Sequence, residues 1–461
     1  MPTTIVVPQW IAADIEATAR MGFETAGVLL ANLVKNGEDD TRILARRMCW
    51  ILESGYMCRR EDHLTISSEG YVPFLGQAEA LGAIAIWVHT HPGIDSLPIP
   101  SRHDTEVDRK IADLFRLRTG TPYYGTLIFS PRPEGFSFTG YLEHVDGPRK
   151  AIGRCWQVGD RFRLVNAFSR ATPKMQEYFD RNVRAFGGAI QQALSDLCIG
   201  IVGCGGTGSA VAEQLVRLGV RDFLLIDPDT ITASNVTRVY GSTPADVGKP
   251  KVDVLAAHLK RIAPDSRVET AQGMITRASV AERLCSRDIV FGCTDDNVGR
   301  LILSRFSTYL LTPVIDSGVL ITSGANGALQ GIDGRVTTLV PGQACLMCRG
   351  RIDVARAGAE SLTPDERRRR EDEGYAPALG GAEPAVVAYT TLVAATAVSE
   401  LLERLIGYGP TPRPSEILLR CHDREISTNM EAPHERHYCH SSSGKLGAGI
   451  TAPFLDQIWP E

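Results

Sequence analysis

No stretch of the 461 residues is both apolar enough and long enough to span a bilayer. The longest apolar run, 384–398, is interrupted by Tyr389, Thr390, Thr391 and Thr396 and reads instead as a buried helix. The opening MPTTIVVPQW has neither the basic start nor the apolar core of a signal peptide, so a cytoplasmic protein is expected. An excess of one charge is also missing: 49 Lys and Arg against 54 Asp and Glu leave a net charge of -5, too mild to call for nucleic acid or an anionic membrane. There is no internal repeat and no extended low-complexity tract. The 11 cysteines, an odd number in a chain of intracellular character, argue for thiols or metal ligands rather than a disulfide framework. With 43% hydrophobic and 22% charged residues, the chain has an ordinary globular composition, and its length allows more than one domain with its own core.

What is present centres on residues 199–238. An apolar run at 199–202 leads into Gly203, Gly205, Gly206 and Gly208. Helical spacing follows (Val211, Leu215, Leu218), then a second apolar run ending at Asp227. This is the order strand, glycine turn, helix, strand. Glycines let the backbone approach an anion, the N–H groups opening the helix face a phosphate, and Asp227 is placed for ribose hydroxyls. NAD enzymes carry such a turn as well, so the downstream groups decide. Asn235, Arg238 and Lys251 add an amide and two cations, and Asp295 in GCTDDN follows another apolar run at 288–291. These suit a triphosphate with a metal ion. Attack by a carboxylate on the α-phosphorus expels pyrophosphate, which needs positive charge where negative charge accumulates and a carboxylate to hold magnesium.

Residues 1–147 read as a mixed α/β domain whose chemistry lies in WVHTHPGIDSLPIPSRHD. Two apart on an extended segment, His89 and His91 point the same way and can grip one metal. Ser101 and Asp104 open a helix and bring a carboxylate as third ligand, leaving the fourth zinc position to water. Zinc lowers the pKa of that water to about 7, and a nearby carboxylate, for which Glu24 is the candidate, acts as the base. Ser-x-x-Asp is also a helix-capping pattern, and His-x-His can be a surface pair.

The order Glu, His-x-His-Pro, Ser-x-x-Asp resembles the JAMM (JAB) metalloprotease family, whose members cut peptide or isopeptide bonds after ubiquitin-like proteins. The resemblance implies a cytidine-deaminase-like mixed α/β fold. It makes Glu24 the acid/base, His89, His91 and Asp104 the zinc ligands, and Ser101 a stabiliser of the oxyanion. The loop 91–101, with Pro98 and Pro100, is longer than the family's usual one.

Residues 148–174 are expected to be a linker, punctuated by Gly147, Pro148 and Pro173, with RFRLVN as a short strand. The stretch 175–440 resembles the ubiquitin-activating superfamily that includes the ThiF and MoeB proteins, and so implies a Rossmann-like adenylation domain. By that resemblance Gly203, Gly205, Gly206 and Gly208 form the phosphate loop, and Asp227 and Asp229 are the ribose-side acids. Asn235 with Arg238 matches the Asn-x-x-Arg, Lys251 the phosphate lysine and Asp295 the magnesium-site aspartate. Arg181, in YFDRNVRAFGG, would reach into a neighbouring protomer's ATP site, which implies a homodimer.

Cys345 and Cys348, in GQACLMCRG, have zinc-knuckle spacing, and Cys439 with His437 or His440 of HYCH would complete a structural zinc site. In the superfamily a crossing loop, expected here at 353–383, often carries a cysteine that accepts a thioester. No cysteine occurs between Arg349 and Arg420. The product would then leave as an acyl-adenylate, pass to a thiol elsewhere, or be taken by a separate protein. Residues 441–461 are expected to be a tail: a linker-like SSSGKLGAG, then APFLDQIWP, suited to docking on a partner or on the protein's own surface.

The whole is expected to be an α/β enzyme with two activities in a prokaryotic ubiquitin-like system. One adenylates the C-terminal glycine of a ubiquitin-like protein; the other, zinc-dependent, processes or removes that protein. ATP, magnesium and zinc are the expected cofactors. The partners are a ubiquitin-like or sulfur-carrier protein ending in glycine and, in addition, a conjugating enzyme. The alternatives are a sulfur-carrier activator in cofactor or amino-acid biosynthesis, and a scaffold that binds a ubiquitin-like protein without catalysis.

Overall fold

The computed structural model describes residues 3–36, 40–60, 64–93, 97–167, 177–323, 328–362, 365–366, 368–369 and 384–459. The chain forms two compact units, Met1–Ala171 with Gly447–Ile450, and Thr172–Leu446 with Thr451–Glu461. No helix among the described residues is long and apolar enough to cross a membrane.

The first unit is built on strands β1 (Thr3–Pro8), β2 (Ala26–Lys35), β3 (Thr41–Trp50), β6 (Ile84–Thr90), β7 (Tyr123–Pro131), β8 (Phe136–His144), β9 (Lys150–Val158) and β10 (Arg163–Asn166), with a hairpin of β4 (Tyr56–Arg59) and β5 (Leu64–Ile66) beside them. The sheet order is β1-β3-β2-β6-β7-β8-β9-β10, and β1 also pairs with β9, which closes the sheet on itself. Successive side chains of a strand point to opposite faces, and β2 and β6 use both. Leu29, Ala31, Ile84, Ile86 and Val88 join a core with Ile11 and Ile15 of helix Gln9–Ala19. Val28, Leu30, Ala85 and Trp87 join another with Leu75 and Ala78 of helix Val72–Ala80 and with Ala112 and Phe115 of helix Arg102–Thr119.

The second unit carries β11 (Cys198–Val202), β12 (Asp222–Ile226), β13 (Arg267–Ala271), β14 (Ile289–Gly292), β15 (Val314–Ser323), β16 (Leu329–Leu339), β17 (Glu416–Arg420) and β18 (Glu425–Asn429). Their order is β13-β12-β11-β14-β15-β16-β17-β18. The first five run parallel and the last three extend the sheet antiparallel. Chain order reverses between β11 and β14, and the carboxyl ends of strands at such a reversal open a crevice between the loops that follow them.

Two sequence expectations need correcting, and the choice left open for the tail is decided. The stretch 148–174 is not a linker as far as Asn166, because β9 and β10 complete the first sheet. Burial of Ile152, Cys155, Trp156 and Val158 drives that pairing, and Gly147 and Pro148 only mark the turn before it. Residues 168–174, and residues 175–176 of the segment after them, lie outside the described residues. The apolar run at 384–398 gives helix Val387–Ile406, which is buried on one side only: Thr390, Val393, Ala394, Ala397, Val398 and Leu401 face inward, while Val387 and Leu392 are exposed. The tail, described through residue 459, takes the second of its two expected courses and docks on its own chain, with Phe454 and Leu455 buried in the second unit.

Candidate active sites

In the second unit one cavity of about 950 Å³ opens at the reversal point. Gly203, Gly205, Gly206, Asp227, Asp229, Arg238, Lys251 and Asp295 all line it. Gly203 sits at φ 91, and a Cβ there would come 2.5 Å from the Cys293 carbonyl oxygen, so only glycine fits. Helix Gly206–Arg217 starts immediately after Gly205, and its opening N–H groups have no acceptor one turn back, so they are turned toward the cavity.

Asp227 holds the turn together. Its Oδ2 accepts from Cys204 N–H at 2.6 Å and its Oδ1 from Asp229 N–H at 2.9 Å. Burial pushes its carboxyl up, and Lys251 pulls the other way. Lys251 Nζ lies 2.7 Å from Asp229 Oδ2 and 3.8 Å from Asp227 Oδ1. Of the paired aspartates in GCTDDN, Asp296 caps helix Asn297–Tyr309 by accepting from Gly299 N–H. Asp295, exposed on the cavity wall, is therefore the one available to a ligand.

Three sequence candidates lie off this wall. Gly208 packs the helix against the turn, where a Cβ would fall 1.8 Å from the Gly203 carbonyl oxygen. Asn235 is buried, and its Oδ1 accepts from Thr232 N–H in a capping box. Arg181 is exposed on helix Asp180–Phe186.

The sequence reading missed the far arm of the cavity, lined by Arg300, Ser317, Gly318, Arg335, Arg351 and Leu418 among others. Asp316 and Glu416 are fully buried behind it; Arg335 Nη2 donates to Asp316 Oδ2 at 2.6 Å and Arg351 Nη2 to Glu416 Oε2 at 2.7 Å. Arg300 was findable as the charged residue one turn into the helix after GCTDDN. The pairing of β15 with β16 that joins Asp316 to Arg335 had no local signal. The stretch 353–383, expected to be a crossing loop, is described through Leu362 and at 365–366 and 368–369.

Cys345, Cys348, His437 and Cys439 form a second cluster in this unit, their ligand atoms all within 4.8 Å of one another. His437 Nδ1 lies 3.4 Å from Cys345 Sγ, 3.4 Å from Cys348 Sγ and 3.3 Å from Cys439 Sγ, and the Cys348 and Cys439 sulfurs are 3.7 Å apart. Tetrahedral zinc with bonds of ~2.3 Å to sulfur and ~2.1 Å to nitrogen sets S–S edges of about 3.8 Å and S–N edges of about 3.6 Å. The four donors fit that ion. The neighbouring Cys439 sulfur is the chief cause that pulls the Cys345 thiol down, and Cys439 is itself pushed up by Cys345. His440 is not a member, contrary to its candidacy; its Nδ1 accepts from Ser442 N–H.

In the first unit His89 follows Ala85 and Trp87 on the β6 face toward helix Arg102–Thr119, and that helix presents Asp104. His89, His91 and Asp104 keep their ligand atoms within 4.8 Å. Asp104 Oδ1 is 3.4 Å from His89 Nε2, and Asp104 Oδ2 is 3.7 Å from His91 Nε2. Burial pushes the Asp104 carboxyl up, but the two imidazoles outweigh it and hold it well below the usual carboxylate range. Both ring nitrogens of His89 are buried without a hydrogen-bond partner. Edges near 3.4 Å match N/O-bound tetrahedral zinc with bonds of about 2.1 Å, so this donor set also fits the metal. Glu24 Oε1 lies 3.7 Å from His91 Nε2. Ser101 caps the helix: its hydroxyl accepts from Asp104 N–H while its own N–H donates to Asp104 Oδ2, so one residue both starts the helix and steers the carboxylate. Residues 94–96 of the loop before it lie outside the described residues.

A family model described as "ThiF family" matches residues 179–441. The chain belongs to the ThiF family. Among similar proteins, the SAMP-activating enzyme E1 of Haloferax volcanii is 28% identical over 148 residues, 32% of this chain and 51% of that protein. The molybdopterin-synthase adenylyltransferase of Escherichia coli is 30% identical over 164 residues, 35% of this chain and 62% of that protein. The sulfur carrier protein ThiS adenylyltransferase of Escherichia coli is 29% identical over 160 residues, 34% of this chain and 60% of that protein. The chain thus spans between half and two thirds of the length of these relatives. The ThiF match begins at residue 179 and leaves the first unit, with its His89, His91 and Asp104 cluster, outside it.

Proposed function

We propose that the second unit uses ATP to adenylate the C-terminal carboxylate of a small sulfur-carrier or ubiquitin-like protein ending in glycine. The single observation behind this reading is that Arg238, Lys251 and Asp295 line one cavity with the Gly203 turn. A carboxylate oxygen bonds to the α-phosphorus, the bond from that phosphorus to the bridging oxygen breaks, and pyrophosphate leaves with the electron pair. The helix opening at Gly206, with Lys251, bears the growing negative charge. Lys251 is already held by Asp229, and Asp295 adds a further carboxylate, so this end of the cavity needs a divalent cation beside the triphosphate.

The ThiS adenylyltransferase among the relatives supports a sulfur carrier as substrate, and the ubiquitin-like modifier-activating enzymes among them support a ubiquitin-like protein. Arg181, exposed at the start of its helix, suits a homodimer in which it reaches the other copy's cavity. The test is ATP–pyrophosphate exchange with candidate β-grasp proteins. Exchange should depend on the carrier and fall at least ~100-fold in Lys251→Ala. A chain that exchanges pyrophosphate with no such protein would refute the reading. A thiocarboxylate on the carrier marks the sulfur route; a protein conjugate marks the other.

A second reading rests on the first unit: a JAMM-type zinc peptidase acting on the same tail. His89, His91 and Asp104 would hold the ion, which when bound supplies a water acidic enough to lose a proton near neutral pH. Glu24, whose Oε1 lies 3.7 Å from His91 Nε2, would be the base and then the acid beside that ion. Cleavage of a carrier fusion by wild type, with no cleavage by Glu24→Gln, tests it. A protein in which neither unit acts would be the scaffold.

A further inference from the structure

The far arm of the cavity carries none of the residues assigned above to the nucleotide, and its charges form a group of their own. Arg300 enters it from helix Asn297–Tyr309. Its Nε is buried without a hydrogen-bond partner, and the nearest acidic oxygen, Asp316 Oδ1, is 3.8 Å away and likewise unpartnered. The other oxygen of that carboxylate is taken by Arg335 at 2.6 Å. Asp316 therefore aims the Arg300 side chain without closing it off. Gly318 lies on the same face of β15, two residues along, and a Cβ there would meet Arg300 Nη2 at 3.2 Å, so the guanidinium lies over bare backbone.

The charge balance points the same way. Arg300, Arg335 and Arg351 stand around the two buried carboxylates Asp316 and Glu416, so among these five groups one positive charge is left over. A planar guanidinium whose fork is not engaged matches a single carboxylate through two parallel hydrogen bonds.

We infer that Arg300 receives the carboxylate that is to be adenylated. The terminal carboxylate of a peptide ending in glycine lies on its fork, with one oxygen directed at the nucleotide end of the cavity. Arg335 and Asp316 are positioning residues behind it. This deepens the adenylation reading and rests on it.

The test uses the full-length protein with magnesium and a non-hydrolysable ATP analogue. The probes are a synthetic decapeptide ending in Gly-Gly with a free carboxylate, and the same peptide as its C-terminal amide; binding is read by saturation-transfer NMR. Wild type should bind the free carboxylate at least ~10-fold more tightly than the amide, a margin of about 1.4 kcal/mol. In Arg300→Ala the preference should shrink to within ~2-fold while affinity for the ATP analogue stays within ~3-fold. Arg300→Lys, which keeps the charge but not the fork, should fall between the two. Gly318→Val, a residue suited to a strand, should displace the guanidinium and reduce the same preference, so the inference does not hang on the folding of one variant.

If Arg300→Ala keeps the preference for the carboxylate, the inference fails and the adenylation reading stands. If that variant loses the ATP analogue as well, Arg300 serves the phosphates and the inference fails. If wild type itself does not distinguish the two peptides, the inference fails together with the reading beneath it.

Discussion

Glu416 is fully buried on β17, where it accepts two hydrogen bonds from Arg351, at 3.0 and 2.7 Å, and others from Thr337 and Asn429. Burial pushes its carboxyl up, but Arg351 and the other donors outweigh that and bring it to about 2. A folded-state pKa below the unfolded one gives stability that is complete above the unfolded value and is lost as pH falls toward the folded value. For a glutamate that window runs from about 4.3 down to about 2. Urea unfolding of the full chain, followed by hydrogen exchange in β17, should show stability dropping through that window. Arg351→Ala should flatten the drop. At neutral pH the same change should cost about 2 kcal/mol, less than for a wholly buried pair because a third of Arg351 remains in water.

At the scale of elements, helix Asn297–Tyr309 joins three parts of the second unit. Its first turn borders the cavity through Asn297 and Arg300. Ser304 Oγ accepts from Leu346 N–H between the knuckle cysteines, and the Arg305 guanidinium lies 4.6 Å from the Tyr438 ring centroid. Arg305 Nη1 also donates to the Leu455 carbonyl, and Tyr309 Oη to Asp456. The segment after residue 450 thus serves as a clamp on this helix, with Phe454 edge-on to Phe306 and Trp459 stacked on Phe454. Leu455→Ala empties a fully buried site and should cost about 2–4 kcal/mol, read as a lower thermal midpoint. Exposed Ile458, changed to Ala, should leave the midpoint within ~1 °C.

Over the whole molecule the two candidate metal clusters each draw their ligands from a single unit, one from the first and one from the second, so they should load independently. Metal analysis should find two zinc ions per chain, one removed by His91→Ala and the other by Cys348→Ala. The three-ligand site, which keeps an open position, should give up its ion to EDTA well before the closed four-ligand site. Equal rates of loss would argue against the assignment of an open site to the first unit.

The sequence by itself determined the parts whose geometry is local. The Gly203 turn lies between consecutive elements, His89 and His91 share a strand face by simple alternation, and Ser101 with Asp104 makes its own cap, so spacing alone reports each of them. Only the tertiary structure decided the rest. β9 closes the first sheet by pairing with β1, which lies far from it in sequence. His437 rather than His440 meets the cysteines because the turn between them aims only one ring inward. Asp296 rather than Asp295 is spent on a helix cap. Arg300, Asp316 and Arg335 sit on a helix and two strands, and no spacing along a chain records a meeting that exists only once the sheet has formed.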